Sequence, residues 1–158
     1  MAIIALEVPR GVGQYLQRLD VPGAKTPIEE MHVTIAQIDA DLSPIDVANI
    51  AGVVAELTHT LKSFEVSLHT LSQFPANDHG VPVICTVVSE GLMLFQQMLV
   101  ETLERAGIDF NKKFPVYKPH VTVSWAQEQI APVSLVRPII WMTLEIVLWT
   151  THNGAEQA

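Results

Sequence analysis

The sequence predicts an α+β fold of two similar lobes, in which two antiparallel-rich sheets line a central cleft and the helices lie outside. Two observations lead to this prediction. Apolar residues alternate in several short segments and recur at helical spacing in longer ones. The chain also repeats one order of elements, because each half has a strand, a helical or looped link, a His-x-Thr strand and a further long strand. We expect residues 1–158 to form a single domain in which each lobe contributes one His-x-Thr pattern.

The predicted elements follow in chain order. Strands are expected at 2–8, 31–38 and 64–74 in the first half, and at 81–89, 119–126 and 139–151 in the second. Helices are expected at 11–20, from Pro44 to about residue 61, and at 91–106. The second of these has the strongest start signal, since Ser43 can cap it and Pro44 suits its first position.

The His-x-Thr pattern occurs at residues 32–35 (His-Val-Thr-Ile) and again at 120–123 (His-Val-Thr-Val). Side chains two residues apart on a strand share a face. His32 and Thr34 therefore point one way while their apolar neighbours point into the core, and His120 and Thr122 repeat the arrangement. Two such pairs facing each other would form a polar site with two titratable rings and two hydroxyl donors.

Composition narrows the classes of partner. The formal net charge is −8, which disfavours binding of long duplex nucleic acid because that requires a basic footprint. Three of the nine basic residues, Lys112, Lys113 and Lys118, lie just before His120, so a short phosphate ligand is still compatible with the sequence. We expect no membrane span, no secretory leader and, with Cys85 alone, no internal disulfide. A cytoplasmic monomer is the resulting expectation.

The paired patterns, in this order and spacing, resemble the two-histidine (2H) phosphoesterase superfamily. That group includes LigT-like RNA 2′,3′-cyclic phosphodiesterases, 2′-5′ oligoadenylate phosphodiesterases and phage enzymes that degrade cyclic oligonucleotide signals. Its hallmark is two His-x-Thr/Ser motifs in a bilobal α+β fold. The Lys118-Pro119 lead-in and the predicted strand ending in Phe74-Pro75 look similar to the family as well. Trp125 is a departure, because LigT-type members often carry arginine thereabouts.

The resemblance implies a phosphodiesterase that needs no metal or cofactor. Cleavage of a phosphodiester requires a base, an acid and donors for the charged phosphoryl oxygens. His32 and His120 can supply the base and the acid, in an order that the sequence leaves open, since histidine titrates near neutrality. Thr34 and Thr122 can donate to the phosphoryl oxygens. The implied substrate is a nucleotide or a short or cyclic oligonucleotide with a 2′,3′-cyclic, 2′-5′ or 3′-5′ linkage, with a cyclic immune signal as one form of it.

Several alternatives stay open at this point. A single His-x-Thr on a strand is more often structural than catalytic, and the two histidines could also bind zinc, although no compact ligand set accompanies them. LigT-type RNA end-processing or ligation is the alternative activity, and a nucleotide-binding module without turnover is the alternative class. Tyr15, Tyr117 and Trp125 could stack on a base or pack at the cleft rim. Lys118 could steer a phosphate or solvate its loop.

Overall fold

The computed structural model describes residues 1–143, 145–152 and 155–157. The helices are α1 (Arg10–Gln17), α2 (Pro44–Thr60) and α3 (Glu90–Arg105), and a 3-10 turn occupies Ile28–Glu30. The strands are β1 (Ala2–Glu7), β2 (Ala24–Lys25), β3 (His32–Ile38), β4 (Phe64–Gln73), β5 (Val81–Val88), β6 (His120–Ala126), β7 (Val133–Thr143), β8 (Ile146–His152) and β9 (Ala155–Gln157).

The strands form one sheet with the order β7-β4-β5-β6-β3-β1-β8-β9, and β2 pairs with β6 outside this path. Every pairing among the described strands is antiparallel. The α+β class is therefore confirmed. The two expected sheets are joined where Val33 of β3 lies opposite Val121 of β6, which makes the two His-x-Thr strands neighbours at the centre.

The two halves of the chain are related as the repeat predicts, with one exchange. β3 pairs with β1 in the first half, and β6 pairs with β5 in the second. The third strand of each half lies in the other lobe, however, because β4 pairs with β5 and β8 pairs with β1. The order from β4 to β8 is consequently symmetric about the β6–β3 junction, and each lobe is completed by a strand from the opposite half of the chain.

The prediction of a single strand at 139–151 is wrong. The segment forms two strands that serve different lobes, since β7 pairs with β4 and β8 pairs with β1. Glu145 lies between them; its backbone N–H donates to Thr143 Oγ1 (3.0 Å), and its carbonyl accepts from the N–H of Glu7 (3.1 Å). Leu144 lies outside the described residues. The apolar pattern runs through the break, so hydropathy alone could not reveal it.

The helices pack against one face of the sheet, and the hydrophobic core lies between them and that face. α2 begins with a complete capping box, because Ser43 Oγ accepts from the Asp46 N–H and the Asp46 carboxylate accepts from the Ser43 N–H. α3 begins at Ser89, whose hydroxyl accepts from the Leu92 N–H. The apolar stripes of both helices are buried together with strand residues; they include Ile50, Val54, Leu92, Phe95, Leu99 and Leu103. No helix in the described part of the chain is long and apolar enough to cross a membrane.

Candidate active site

Strand alternation places the four motif side chains together on the face of the sheet opposite the core. Their apolar neighbours Val33, Ile35, Val121 and Val123 are buried in the core cluster. The motif residues His32, Thr34, His120 and Thr122 are half-buried. We call the surface that carries these four side chains the motif face. Because their neighbours are held in the core, the imidazoles and hydroxyls are presented on a rigid support.

The pairing of β3 with β6 sets the geometry between the two motifs. In the antiparallel register given by Val33 and Val121, His32 is opposite Thr122 and Thr34 is opposite His120. The two histidines are then diagonal neighbours, a relation that corresponds to about 7–8 Å between strands. They are close enough for charge on His32 to contribute to lowering the pKa of His120. One phosphate could therefore lie between both rings and both hydroxyls.

Each imidazole is oriented by a carbonyl two residues earlier in the chain. His32 Nδ1 lies 2.7 Å from the oxygen of Glu30, and His120 Nδ1 lies 2.8 Å from the oxygen of Lys118. A carbonyl can only accept, so Nδ1 must carry the proton and donate in both cases. The remaining nitrogen, Nε2, is then the atom of each ring that is left for proton transfer.

Each imidazole is also held by an aromatic ring that the sequence did not single out as a site residue. The centroids of His32 and Trp149 are 4.5 Å apart with planes at 69°, and those of His120 and Phe74 are 4.5 Å apart at 77°. Trp149 lies on β8 and Phe74 directly follows β4, which are the two exchanged strands. An alignment of the two halves could have indicated this pair, because both residues stand late in the third long segment of their half.

Burial affects the protonation of His120. The pKa of His120 is lowered from its usual value, mainly because the ring is buried and secondarily because of the charge on His32; the hydrogen bond to the Lys118 carbonyl opposes this shift. Burial disfavours the charged imidazolium. His120 is therefore biased towards the neutral form, which is the form that can accept a proton through Nε2.

A β-bulge follows each motif and changes which later residues share its face. The registers of β1 with β3 and of β5 with β6 both shift by one directly after the motif threonine. On β6 the shift brings Ala126 into the same core cluster as Val121, although strict alternation would place it on the opposite face. Trp125 thus lies on the motif face, where its ring contacts His79 at a centroid distance of 5.8 Å. The matching position on β3 is Gln37.

The other predicted contact residues occupy different places. The Tyr117 hydroxyl donates to the backbone carbonyl of Thr34 at 2.8 Å, and burial raises its pKa. Lys118 has an exposed side chain and orients His120 through its carbonyl. Tyr15 is 43% exposed on α1. The structure thus connects Tyr117 and Lys118 to the motifs by hydrogen bonds, whereas the substrate contacts expected of them stay predictions.

The described side chains contain no group of three or more His, Cys, Asp or Glu residues placed to hold a metal ion. The alternative of a zinc site at His32 and His120 therefore lacks a third protein ligand among them. Zinc sites in proteins take three or four protein ligands. The chemistry available to this arrangement is acid–base chemistry by two imidazoles with hydroxyl donors beside them.

A family model described as the 2′-5′ RNA ligase superfamily matches residues 28–145. The match includes both His-x-Thr motifs and covers most of the chain. The protein therefore belongs to the 2′-5′ RNA ligase superfamily, whose LigT-like members are two-histidine phosphoesterases, as the resemblance of its sequence predicts. No curated protein sequence matches the chain.

Solved structures share this fold at low sequence identity. The protein TT0787 of Thermus thermophilus superposes with a TM-score of 0.76 at 16% identity, over 96% of this chain and 88% of that one. A protein described as a phosphoesterase gives a TM-score of 0.68 at 16% identity, over 99% and 91%. Escherichia coli LigT complexed with 3′-AMP gives 0.61 at 18% identity, also over 99% and 91%. At such identities the likeness establishes the fold alone.

Proposed function

We propose that the protein is a metal-independent phosphodiesterase that hydrolyses a nucleotide or a short or cyclic oligonucleotide at a 2′,3′-cyclic, 2′-5′ or 3′-5′ phosphodiester. The observation that carries the proposal is the pairing of two histidines, each oriented through Nδ1 by a carbonyl, with a threonine hydroxyl opposite each ring. Membership of the 2′-5′ RNA ligase superfamily supports it. So do the structures of LigT, a protein of the same fold, that contain 3′-AMP and phosphate.

The lowered pKa of His120 suggests the roles of the two rings. His120, with its lowered pKa, is neutral and accepts a proton from water as the water oxygen attacks phosphorus. His32 is then the acid, which donates a proton from Nε2 to the ester oxygen as the bond from that oxygen to phosphorus breaks. The product is a phosphate monoester and a free hydroxyl, and the proton gained by His120 returns to His32 through solvent. Thr34 and Thr122 donate to the non-bridging oxygens, whose charge grows in the transition state.

RNA-end processing or ligation of the LigT type is the second candidate, and the family match favours it. Ligation would use the same displacement with a ribose hydroxyl in place of water: that hydroxyl attacks the phosphorus of a 2′,3′-cyclic phosphate and gives its proton to the base, while the bond from phosphorus to one ring oxygen breaks and that oxygen takes a proton from the acid. The net charge of −8 and Trp125, two residues after the last residue of the second motif, favour a small nucleotide over a large RNA. A cyclic-oligonucleotide immune signal is one substrate of that size. A monomer and a cytoplasmic location stay predictions.

The test uses a panel of nucleoside 2′,3′-cyclic monophosphates and linear and cyclic 2′-5′ and 3′-5′ dinucleotides, with EDTA present and products separated by chromatography. We expect hydrolysis of at least one class. His32→Ala and His120→Ala should each reduce kcat by about 10²–10⁴-fold, because each removes one proton transfer. His59→Ala is the matched control, since His59 is exposed on α2.

Three results would contradict the proposal. Full hydrolysis by His32→Ala or by His120→Ala would contradict the assigned mechanism. Loss of hydrolysis in EDTA would contradict the proposal that the reaction needs no metal. Tight binding of the panel by the wild-type protein without any turnover would make the protein a nucleotide-binding module instead.

A further inference from the structure

We propose that the exposed basic loop of residues 112–118 binds the single strand of an oligonucleotide that extends from the phosphate held by the two motifs. The inference rests on the proposed function for the position of that phosphate. The loop lies in the connection between α3 and β6 and leads directly into the second motif. The carbonyl oxygen of Lys118, within the loop, lies 2.8 Å from His120 Nδ1 and orients that ring. A ligand on this loop would therefore continue from the site.

The loop is anchored at both ends to β3, the strand of the first motif. The Asn111 N–H donates to the Gln37 carbonyl (2.7 Å) and its side-chain amide donates to Asp39 (2.7 Å). At the other end, Tyr117 donates to the Thr34 carbonyl (2.8 Å). Thr34 and Gln37 are only about 10 Å apart along a strand, whereas the six residue steps from Asn111 to Tyr117 can span about 20 Å. The chain between the two anchors is therefore longer than the distance between Thr34 and Gln37, and residues 112–116 within it are exposed.

The residues of this exposed segment combine positive charge with exposed apolar surface. Phe114 is 77% exposed and Val116 is 64% exposed. Lys113 Nζ lies over the Phe114 ring, 5.6 Å from its centroid, so a cation and a largely exposed aromatic ring occur together. Lys112 is 59% exposed but already has an acidic partner, since its Nζ lies 3.9 Å from the Glu104 carboxylate and 4.9 Å from the Phe110 ring. Lys113 and Phe114 are therefore the pair available to a ligand.

This pair fits one class of ligand. Single-stranded nucleic acid is bound by cations that follow the backbone and by aromatic rings on which bases stack. The net charge of the chain is −8, so a negatively charged ligand should be attracted to the basic loop rather than to the rest of the surface. Phe114 lies six residues before His120, so the chain separates them by at most about 20 Å. At about 3.4 Å for each stacked nucleotide, the bound strand is at most about six nucleotides long.

The test measures binding rather than turnover. Fluorescein-labelled oligonucleotides of one, two, four and six nucleotides, each ending in a 3′-phosphate, are titrated by fluorescence anisotropy. We expect wild-type Kd to fall with length. Phe114→Ala should weaken binding of the longer ligands by about 5–150-fold, the range for one stacked base, and should leave the Kd of the mononucleotide within twofold. Lys113→Ala should lower the slope of log Kd against log salt by about 0.7, the value for one single-strand phosphate contact.

The matched controls are Ile45→Ala and Lys62→Ala, an exposed apolar residue on α2 and an exposed lysine after it. Both should bind every length as the wild type does. A wild-type Kd that is independent of oligonucleotide length would overturn the inference. So would Phe114→Ala and Lys113→Ala variants whose affinity increases with length as much as that of the wild type. Absence of hydrolysis with this binding pattern intact would instead count against the proposed function alone.

Discussion

Replacement of Tyr117 by phenylalanine tests whether one hydrogen bond sets the distance between the two motifs. Tyr117 precedes the second motif by three residues, and its hydroxyl donates to the Thr34 carbonyl within the first motif at 2.8 Å. The bond thus crosses the junction at which β3 and β6 pair through Val33 and Val121. Phenylalanine keeps the ring and removes only the oxygen, so it creates no large cavity.

The expected cost follows from the burial of this bond. A neutral hydrogen bond contributes about 1 kcal/mol, and a buried carbonyl left without a partner costs about 1–3 kcal/mol. We therefore expect Tyr117→Phe to lower the free energy of unfolding by about 1–2 kcal/mol, which for a chain of this size lowers Tm by about 2–8 °C. If the motifs separate by about 1 Å, turnover should fall about 10²-fold, because near-attack geometry is that sensitive.

The measurements are urea unfolding and steady-state kinetics on the substrate found in the panel. The positioning role predicts a fall in kcat with KM within about threefold. Tyr15→Phe is the control: Tyr15 is the other tyrosine of the chain and is 43% exposed, and the substitution keeps the ring that could stack on a base, so neither the free energy of unfolding nor kcat should change. Reduced stability with unchanged kcat would refute the positioning role, and unchanged stability would show that the bond contributes nothing measurable.

Two further predictions concern His120 and the start of α2. Because burial lowers the pKa of His120, its imidazole should titrate below 6.5 by NMR, and kcat/KM should fall as pH decreases through this lowered pKa. A midpoint at or above 6.5 would contradict the assignment of His120 as the base. The unfolded chain binds this proton more readily, so stability should decrease as pH falls from 6.5 to the lowered pKa and be independent of His120 above 6.5. Ser43→Ala should lower the free energy of unfolding in urea by about 1 kcal/mol, since it breaks the capping box, and should leave kcat unchanged, because α2 lies on the core side. Ser63→Ala changes an exposed position beyond that helix and should be neutral. An equal loss of stability in Ser63→Ala would mean that the cap is not responsible.

Local rules were sufficient for most of the helices and strands and for the side that the four motif side chains share. The capping residues Ser43 and Pro44 predict where α2 begins, because a cap depends on a few neighbouring residues. Alternation predicts that Val33 and Val121 are buried and that the motif side chains lie on the other face, because a strand has a fixed period of two. The paired motifs also predicted the family that the comparison shows.

Features that depend on the partner of a strand were beyond those rules. The hydropathy of 139–151 does not change where β7 ends and β8 begins, although the two strands join opposite lobes. The bulges that follow the motifs arise from register with β1 and β5, and so does the placement of Trp125 on the motif face. The roles of Phe74 and Trp149 beside the imidazoles follow from the exchange of β4 and β8, which no local pattern encodes.

The sequence by itself determined which four polar side chains could share a face and which superfamily the protein belongs to, because the first follows from strand periodicity and the second from two short motifs. Only the tertiary structure decided that β3 and β6 are adjacent, that His120 is the ring whose pKa burial lowers, and that Tyr117 connects the two motifs. The physical reason is that burial and hydrogen-bond partners are properties of contacts between distant residues. They exist only when the exchanged strands and the anchored loop have brought the two halves of the chain together.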